Sequence, residues 1–515
     1  MKGLTAYGAT RASTVSPETV RFQLAYGTSI GFRHRTFDCT NAFQCTFEDD
    51  PSKRIYCYLP PFYLQWYNHC YSHDQINPND GPFIMQAAQL IQGSPHAAHR
   101  WQENLSMQLK KMGYIRNNVD HSFYVKFDSN NELEAMLSIT VDDLLLSFKI
   151  NDTQQQFYKD LSSAFDVTTP TDTKYMKFLS LHLYQSEFGT SIDQTKHIKK
   201  ILSTWFDNGH TTKIVNSPFP TDPTFELDLS QSPVLTESDL EIYETRYLGA
   251  FNHTLGKLLH IQQWTRADIN YAVTRLATFT RNPNKSAFIA LEHLMRYLHS
   301  HSHEPIFYPK GIQTSPQRIT YIFSPKQSLD YLLSSYQVFF SDSSFANILP
   351  QRRSMQSNCG LFNRVLTSWQ TNIQTTIAAD STDAELRSLY TTIKRIESFS
   401  HFLISSSIHQ VTKHPITLLA DNQASINIIV QNKISSRTRH LDIPVTYSYE
   451  RLLKKYFNIQ HINNKLNAAD PSTKATSGPI QARHWNFLRG FRFFPQSTSS
   501  HGQYLTTFPT TLTLA

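Results

Sequence analysis

The stretch Ser138-Ile139-Thr140-Val141-Asp142-Asp143-Leu144-Leu145-Leu146-Ser147 constrains this chain more than any other. Its β-branched residues precede two adjacent acids and leucines follow them, the pattern of two strands joined by a tight turn that carries Asp142 and Asp143. Asp is common in surface turns because its side chain caps the local backbone, so the pair taken alone reads as an ordinary turn. The apolar setting argues otherwise. Adjacent carboxylates between strands that lie inside a sheet repel one another and resist desolvation, and a divalent cation supplies the charge that relieves both. Further ligands must then lie elsewhere in the chain.

At 515 residues the chain has length for about three or four hydrophobic cores. A net charge of +7 and a pI near 8.9 permit a polyanionic partner. Only 17% of residues are charged and no dense Lys/Arg block appears, so charge is weak support. The five cysteines (Cys39, Cys45, Cys57, Cys70, Cys359) are odd in number and form no CxxC pair. That pattern fits a reduced intracellular protein with neither a disulfide framework nor a zinc knuckle. The opening MKGLTAYGATRAS has no apolar core, and no uninterrupted apolar run reaches about 18 residues, so neither secretion nor membrane insertion is expected.

Periodicity predicts a multidomain α+β protein. Residues 1–150 mix helical text (TVRFQLAYGTSIGF, HRWQENLSMQLKKMGY) with strand-like text (SFYVKF, MLSITV, LLLSF). Residues 151–335 read as a helical support region, with ETRYLGAFNHTLGKLLHIQQW and SAFIALEHLMRYLHS separated by Pro- and Ser-rich connections. Residues 336–480 reset to strand, turn, strand, strand, then a helix from about 383, the strand ITLLAD and a further helix, an independent α/β domain. Residues 481–515 end in a Ser/Thr-rich tail.

Upstream of the acid pair, Thr36-Phe37-Asp38-Cys39-Thr40-Asn41-Ala42-Phe43 places Asp38 at the end of a possible strand. One acid plus a distant pair is the minimum that holds two Mg²⁺ ions for in-line phosphoryl transfer. Between them lie Gln92-Gly93, an ordinary loop by itself, and then Trp101. In the order DCTNAF, QGSPHAAHRW, VDD these segments resemble the reverse transcriptase of copia-type long-terminal-repeat retrotransposon Pol polyproteins, whose motifs run D-V-x-x-A-F, Y-G-L-K-Q-A-x-x-x-W and V-D-D. IYCYLPPF, DHSFYVKF, TRADINYAV and HLMRYL resemble further motifs of that family, so the likeness runs over most of residues 1–480.

The resemblance implies reverse-transcriptase fingers and palm in residues 1–150 and a helical thumb and connection in 151–335. Asp38, Asp142 and Asp143 match the metal-binding acids of the palm. Phe43 matches the aromatic gate that would collide with a ribose 2′-hydroxyl, and Gln92 and Gly93 would line the nucleotide pocket. Two departures bear on activity. The family's tyrosine is Gln92 here, and the basic residues that face the triphosphate correspond to Gly3 and Tyr7. Two lost cations weaken triphosphate binding at roughly 1.5 to 3 kcal/mol per charged hydrogen bond.

The last domain offers Asp342 in VFFSDSSF, Glu385 in STDAELRSLY, Asp421 in ITLLADNQAS and Asp470 in NAADPSTK. Each has an ordinary explanation. Thr382-x-x-Glu385 reads as a capping box on a helix with Leu386, Leu389 and Ile393 on one face. Asp470-Pro471 reads as an N-cap with proline at N1, and Asp342 and Asp421 as strand ends. Together they form a different pattern: acid on a first strand, Glu on the first long helix, acid ending a later strand, acid opening a last helix. Four such carboxylates can hold two divalent cations about 4 Å apart. The order resembles the RNase H domain of the same family, with SSRTRHLDI matching its S-R-T-K-H-I-D-I. Arg437, Arg439 and His440 lie in that segment, where they would contact phosphate or help product leave; a solvated basic loop explains them equally.

The expected function is RNA-directed DNA polymerisation with a fused RNase H. Mg²⁺ or Mn²⁺ would act as two ions per site, and the partners would be an RNA template, a DNA primer, the RNA/DNA hybrid and deoxynucleoside triphosphates. The family works in cytoplasmic particles before its DNA enters the nucleus. Two other readings stand beside this one: a fragment with RNase H activity only, and an inactive remnant that binds nucleic acid.

Overall fold

The computed structural model describes residues 12–47, 55–94, 96–206, 213–246, 250–312, 317–324, 327–333, 337–408, 415–434 and 439–491. Gly3, Tyr7, Arg437 and the tail from 492 lie outside them. The chain divides into two compact units, Met1–Val15 with Arg35–Thr171, and Ser16–His34 with Asp172–Ala515.

Helix α1 (Pro17–Ser29) starts at Ser16, whose hydroxyl accepts from Thr19 N at 3.1 Å, with proline at the first helical position. It is buried nearly all round and belongs to the second unit, although it lies within the first 150 residues.

The first unit contains β1 (Arg33–Cys39) from Arg35 onward, β2 (Tyr56–Tyr58), α2 (Pro61–Cys70), β3 (Ile84–Gln86), α3 (Ala97–Lys111), β4 (Ile115–Arg116), β5 (Phe123–Phe127), β6 (Leu133–Thr140), β7 (Asp143–Phe148), α4 (Asn151–Ser162) and β8 (Val167–Thr168). Six strands form one sheet in the order β4-β5-β6-β7-β1-β8, and β2 pairs with β3 apart from it. Alternate residues Ala135, Leu137, Ile139 of β6 and Leu144, Leu146, Phe148 of β7 face one core. Trp101, Leu105 and Leu109 of α3 and Phe157 and Leu161 of α4 cover it. Both faces of β6 and β7 are buried, and a one-residue slip would exchange Leu144 and Leu146 with Leu145 between the two faces.

The second unit opens, after α1, with β9 (Tyr175–Phe178), β10 (Leu181–Gln185) and β11 (Gly189–Asp193). Then follow α5 (Thr195–Phe206), α6 (Phe225–Gln231), α7 (Glu237–Arg246), α8 (Phe251–Trp264), α9 (Asn270–Ala277), α10 (Lys285–Ser300) and β12 (Ile306–Pro309). The helical support region expected here is present, and β12-β11-β10-β9 add an antiparallel sheet beyond that expectation. These strands are only four or five residues long, too short for their alternating burial to stand out from the surrounding loop text.

A two-stranded ribbon, β13 (Gln317–Ser324) with β14 (Gln327–Leu333), leads to the last sheet. That sheet comprises β15 (Gln337–Ile348), β16 (Arg353–Phe362), β17 (Val365–Ile373), β18 (Ile416–Ala420) and β19 (Phe457–His461), ordered β17-β16-β15-β18-β19. The first three run antiparallel, while β18 lies parallel to both β15 and β19. Helices α11 (Ser381–Ser405), α12 (Gln423–Gln431) and α13 (Asp442–Leu453) bury Leu386, Leu389, Ile393, Ile426, Ile429 and Val445 with Phe339, Ile416 and Leu418 of the sheet. Helix α14 (Gly478–Leu488) closes the described chain.

Arg21 ties α1 into this unit. Its guanidinium lies 3.6 Å over the Trp369 ring and donates to Thr367 O at 2.7 Å, Gln263 O at 2.7 Å and Trp264 O at 3.1 Å. Phe22 stacks edge-on against Phe362, Phe399 and Phe402. Arg21→Met keeps the apolar stem but leaves three carbonyls without their donor; loss of about 3 kcal/mol of stability is expected, read as a lower midpoint of urea unfolding.

Candidate active sites

Strand register brings the acids of the last sheet together. Phe340 pairs with Leu419 across the parallel β15 and β18, so Asp342 and Asp421, each two residues further on, stand in step beyond the paired stretch. Helix α11 is locked against β15 by hydroxyls: Ser388 Oγ donates to Asp342 O at 2.8 Å, and Thr392 Oγ1 to Ser341 Oγ at 3.0 Å. This fastening delivers Glu385 to the same place. One carboxylate oxygen each from Asp342, Glu385 and Asp421 lies within 4.8 Å of the others, the one such group of three possible metal ligands among the described residues. Asp342 and Glu385 are buried and Asp421 is half-buried.

Donors hold these carboxylates in place. Asp342 accepts from Thr473 Oγ1 at 2.5 Å and from Asn467 Nδ2 at 3.3 Å. Glu385 Oε1 accepts from Ser343 N at 3.1 Å and Ser343 Oγ at 2.9 Å, while Glu385 Oε2 is buried without a hydrogen-bond partner. An orphaned carboxylate oxygen beside two further carboxylates fits a hard, oxygen-seeking divalent cation. Asp470 is buried at the start of a single 3₁₀ turn and pairs with Lys474 Nζ at 2.5 Å.

Two of the ordinary explanations need correction. The N-cap of α11 is Asp380, which accepts from Asp383 N at 2.8 Å, so Thr382 and Glu385 form no capping box and Glu385 is free to face the sheet. The cap of the last turn is Ala469, which makes Asp470 its first residue and sends the carboxylate to Lys474.

Burial, with the charges of Asp470 and Asp421, pushes the Asp342 carboxyl up to about 8. Burial raises Glu385 well above the carboxylate range, with Asp342 and Asp421 adding to it, and also raises Asp421 and Asp470. Metal-free, the cluster therefore favours protons. A carboxyl whose folded pKa is raised contributes stability that is fully present below its unfolded value near 4 and is lost as pH rises through the folded value.

In the first unit, β1 and β7 are neighbours and Cys39 N donates to Asp142 O at 3.0 Å, which sets Asp38 beside Asp142. Partial burial and the Asp142 charge raise the pKa of Asp38. Thr140 pairs with Asp143, so the turn is Val141-Asp142 and not the expected Asp142-Asp143: it falls one residue earlier, and Asp143 opens β7. Val141 takes φ +54°, a costly conformation for a β-branched residue. Trp101, fully buried, donates its Nε1–H to Val141 O at 2.7 Å and pins the turn.

Phe43 is half-buried against the core that contains Phe37 and Trp101. Gln92 and Gly93 form an exposed turn, with Gly93 at φ +91°. Leu90 N donates to Thr46 O at 3.0 Å and Phe47 bridges Gln89, which places that turn beside the segment following Phe43. Arg439 is exposed, and His440 Nε2 contacts Asp383 Oδ2 at 3.0 Å, so His440 is tied to the first turn of α11. Sequence reasoning passed over Ser343, Asn467, Thr473 and Lys474, although Thr473 and Lys474 stand in NAADPSTK three and four residues after Asp470.

Residues 75–216 match the model of the family described as reverse transcriptase (RNA-dependent DNA polymerase). The chain is 24% identical over 472 residues to the retrovirus-related Pol polyprotein from transposon RE1 of Arabidopsis thaliana, covering 92% of this chain and 28% of that protein. It is 23% identical over 384 residues to the corresponding polyprotein from transposon TNT 1-94 of Nicotiana tabacum, covering 75% of this chain and 26% of that one. The chain thus spans little more than a quarter of the length of these relatives. A foamy viral protease-reverse transcriptase in complex with double-stranded DNA overlaps 88% of this chain and 60% of its own, at 10% identity and a TM-score of 0.43.

The carboxylate cluster makes stability pH-dependent. With chelator present, unfolding stability should fall by about 2 kcal/mol between pH 6 and pH 8 as Asp342 ionises. Asp342→Asn should flatten that fall, and denaturation series at several pH values compare the two proteins.

Proposed function

We propose, from the premise that this chain is related over most of its length to copia-type retrotransposon Pol polyproteins, that it is an RNA-directed DNA polymerase with a fused RNase H. It would extend a DNA primer on an RNA template and cut the RNA of the resulting hybrid. In this reading residues 1–150 supply partial fingers and palm, residues 151–335 the thumb and connection, and residues 336–480 the RNase H-like domain. The observation that carries the reading is the convergence of Asp342, Glu385 and Asp421, with Glu385 Oε2 unpartnered, in a chain whose residues 75–216 match the reverse transcriptase family.

Asp38, Asp142 and Asp143 would hold divalent cations in the first unit, and Asp342, Glu385, Asp421 and Asp470 in the second. When bound, Mg²⁺ or Mn²⁺ activates the attacking oxygen and neutralises charge on the leaving one. Ser343 fixes one oxygen of Glu385 and leaves the other for the site; Thr473 and Asn467 hold Asp342 in one rotamer. Burial excludes water, so each carboxylate exerts a stronger field than it would at the surface. In the first unit, the Trp101 bond to Val141 O holds Asp142 at the turn, beside Asp38 on β1. Phe43 would close the pocket against a ribose 2′-hydroxyl, and Gln92 and Gly93 would line it, with deoxynucleoside triphosphates as substrates.

A second reading, hybrid cleavage without polymerisation, is favoured by one observation. Among the described residues only the second unit gathers three acids within 4.8 Å.

A labelled RNA/DNA hybrid with a recessed DNA 3′ end, incubated with the purified chain, Mg²⁺ and deoxynucleotides, tests both readings. Extension and RNA cleavage are expected together, with Asp142→Asn abolishing only extension and Glu385→Gln lowering only cleavage, each by about 10²-fold or more. Cleavage without extension in the unaltered chain would establish the second reading, and retained cleavage in Glu385→Gln would remove Glu385 from the chemistry. Phe43→Ala should raise ribonucleotide incorporation relative to deoxynucleotide; unchanged sugar selectivity would count against the gate.

A further inference from the structure

Lys474 stands apart from the hydroxyl and amide donors around the carboxylates because it brings a full charge. Its ammonium pairs with Asp470 Oδ1 at 2.5 Å and also acts electrostatically on Asp342 and Asp421. Burial works to lower its pKa, but the surrounding carboxylates outweigh that and raise it, so the group is a cation at any working pH. Asp470, its partner, is the one of the four acids that stays outside the group of three lying within 4.8 Å. The side chain of Lys474 is still 44% exposed, so a long flexible stem can swing the ammonium into solvent.

We infer that Lys474 is the chain's own cation in this site: it occupies the Asp470 side of the carboxylate cluster and must leave when a second divalent cation binds there. The inference rests on reading these carboxylates as metal ligands. Asp342, Glu385 and Asp421 take a first ion with Lys474 in place, because that ion meets three carboxylates and the orphaned Glu385 Oε2. A second ion needs Asp470, whose charge is already neutralised, and it would stand close to a like charge until the ammonium moves. Lys474 thus stabilises the singly loaded site and sets the divalent concentration at which the doubly loaded one forms.

The experiment is a calorimetric titration of Mn²⁺ into the full chain carrying Asp38→Asn, Asp142→Asn and Asp143→Asn, which silence the acids of the first unit, with Mn–Mn coupling in electron paramagnetic resonance as second readout. Two events of well-separated affinity are expected. Lys474→Met should tighten the weaker event about tenfold or more and leave the tighter within about threefold, while Lys474→Arg should keep the parental pattern. An unchanged weaker event in Lys474→Met, or equal tightening in Lys474→Arg, overturns the inference. Independently of whether these variants fold, acetylation of Lys474 in the otherwise unaltered chain should rise severalfold as the weaker event saturates; constant labelling also overturns it. Asp342→Asn separates the two levels of failure. Mn²⁺ binding that ignores Asp342→Asn sinks the metal-ligand reading itself, whereas an Asp342-dependent event indifferent to Lys474 sinks only the displacement.

Discussion

Charge desolvation is the constraint on which the last sheet depends. Asp342 and Glu385 are buried with Asp421 and Asp470 close by, and four carboxylates in that space repel one another unless protons or cations intervene. The surrounding structure answers this in detail. Thr473 and Asn467 donate to Asp342, Ser343 donates twice to Glu385, and Lys474 sets a positive charge against Asp470. Glu385 Oε2 is buried without a hydrogen-bond partner in the cluster it forms with Asp342 and Asp421. A cluster that is costly without cations and partly satisfied with hydroxyls is a site prepared for a metal, not a core that happens to be polar.

The first unit solves a milder form of the same problem. Asp38 and Asp142 are exposed, so water relieves much of their repulsion, and residual burial together with the Asp142 charge raises the pKa of Asp38. Here the cost appears in the backbone instead. Val141 sits at φ +54° so that the hairpin can present Asp142 beside β1, and the indole of Trp101 anchors the strained carbonyl. The two acid constellations therefore differ in kind: one is buried and held by side-chain donors, the other is open and held by a turn.

Much of this was legible in the residues. The hairpin around Asp142 and Asp143 follows from β-branched residues before the acids and leucines after them, and the last sheet from its strand, strand, strand, helix, strand order. The small sheet β12-β11-β10-β9 was not, because strands of four or five residues carry too few alternations to rise above loop text. Nor was the packing of α1. Its side chains are buried on every face, so no stripe in the sequence says what covers them, and Arg21 reads as a surface charge until Trp369 and the carbonyls of Gln263, Trp264 and Thr367 are seen around it. Glu385 was misleading in another way. Its spacing from Thr382 imitates a capping box, yet the cap belongs to Asp380, and local spacing cannot tell which of two nearby polar residues begins the helix.

By itself the sequence determined which residue types could do chemistry and in what order along the chain they occur, because periodicity and acid placement are local properties that each segment carries with it. Only the tertiary structure decided which acids meet. The parallel pairing of β15 with β18 brings Asp421 into step with Asp342, the hydroxyl fastening of α11 delivers Glu385 to them, and a single 3₁₀ turn points Asp470 at Lys474. The contacts among Asp342, Glu385 and Asp421 span dozens of residues, and no local pattern specifies them, whereas Asp470 and Lys474 are four residues apart; the three meet because strand register, helix packing and the need to offset buried charge have one joint solution.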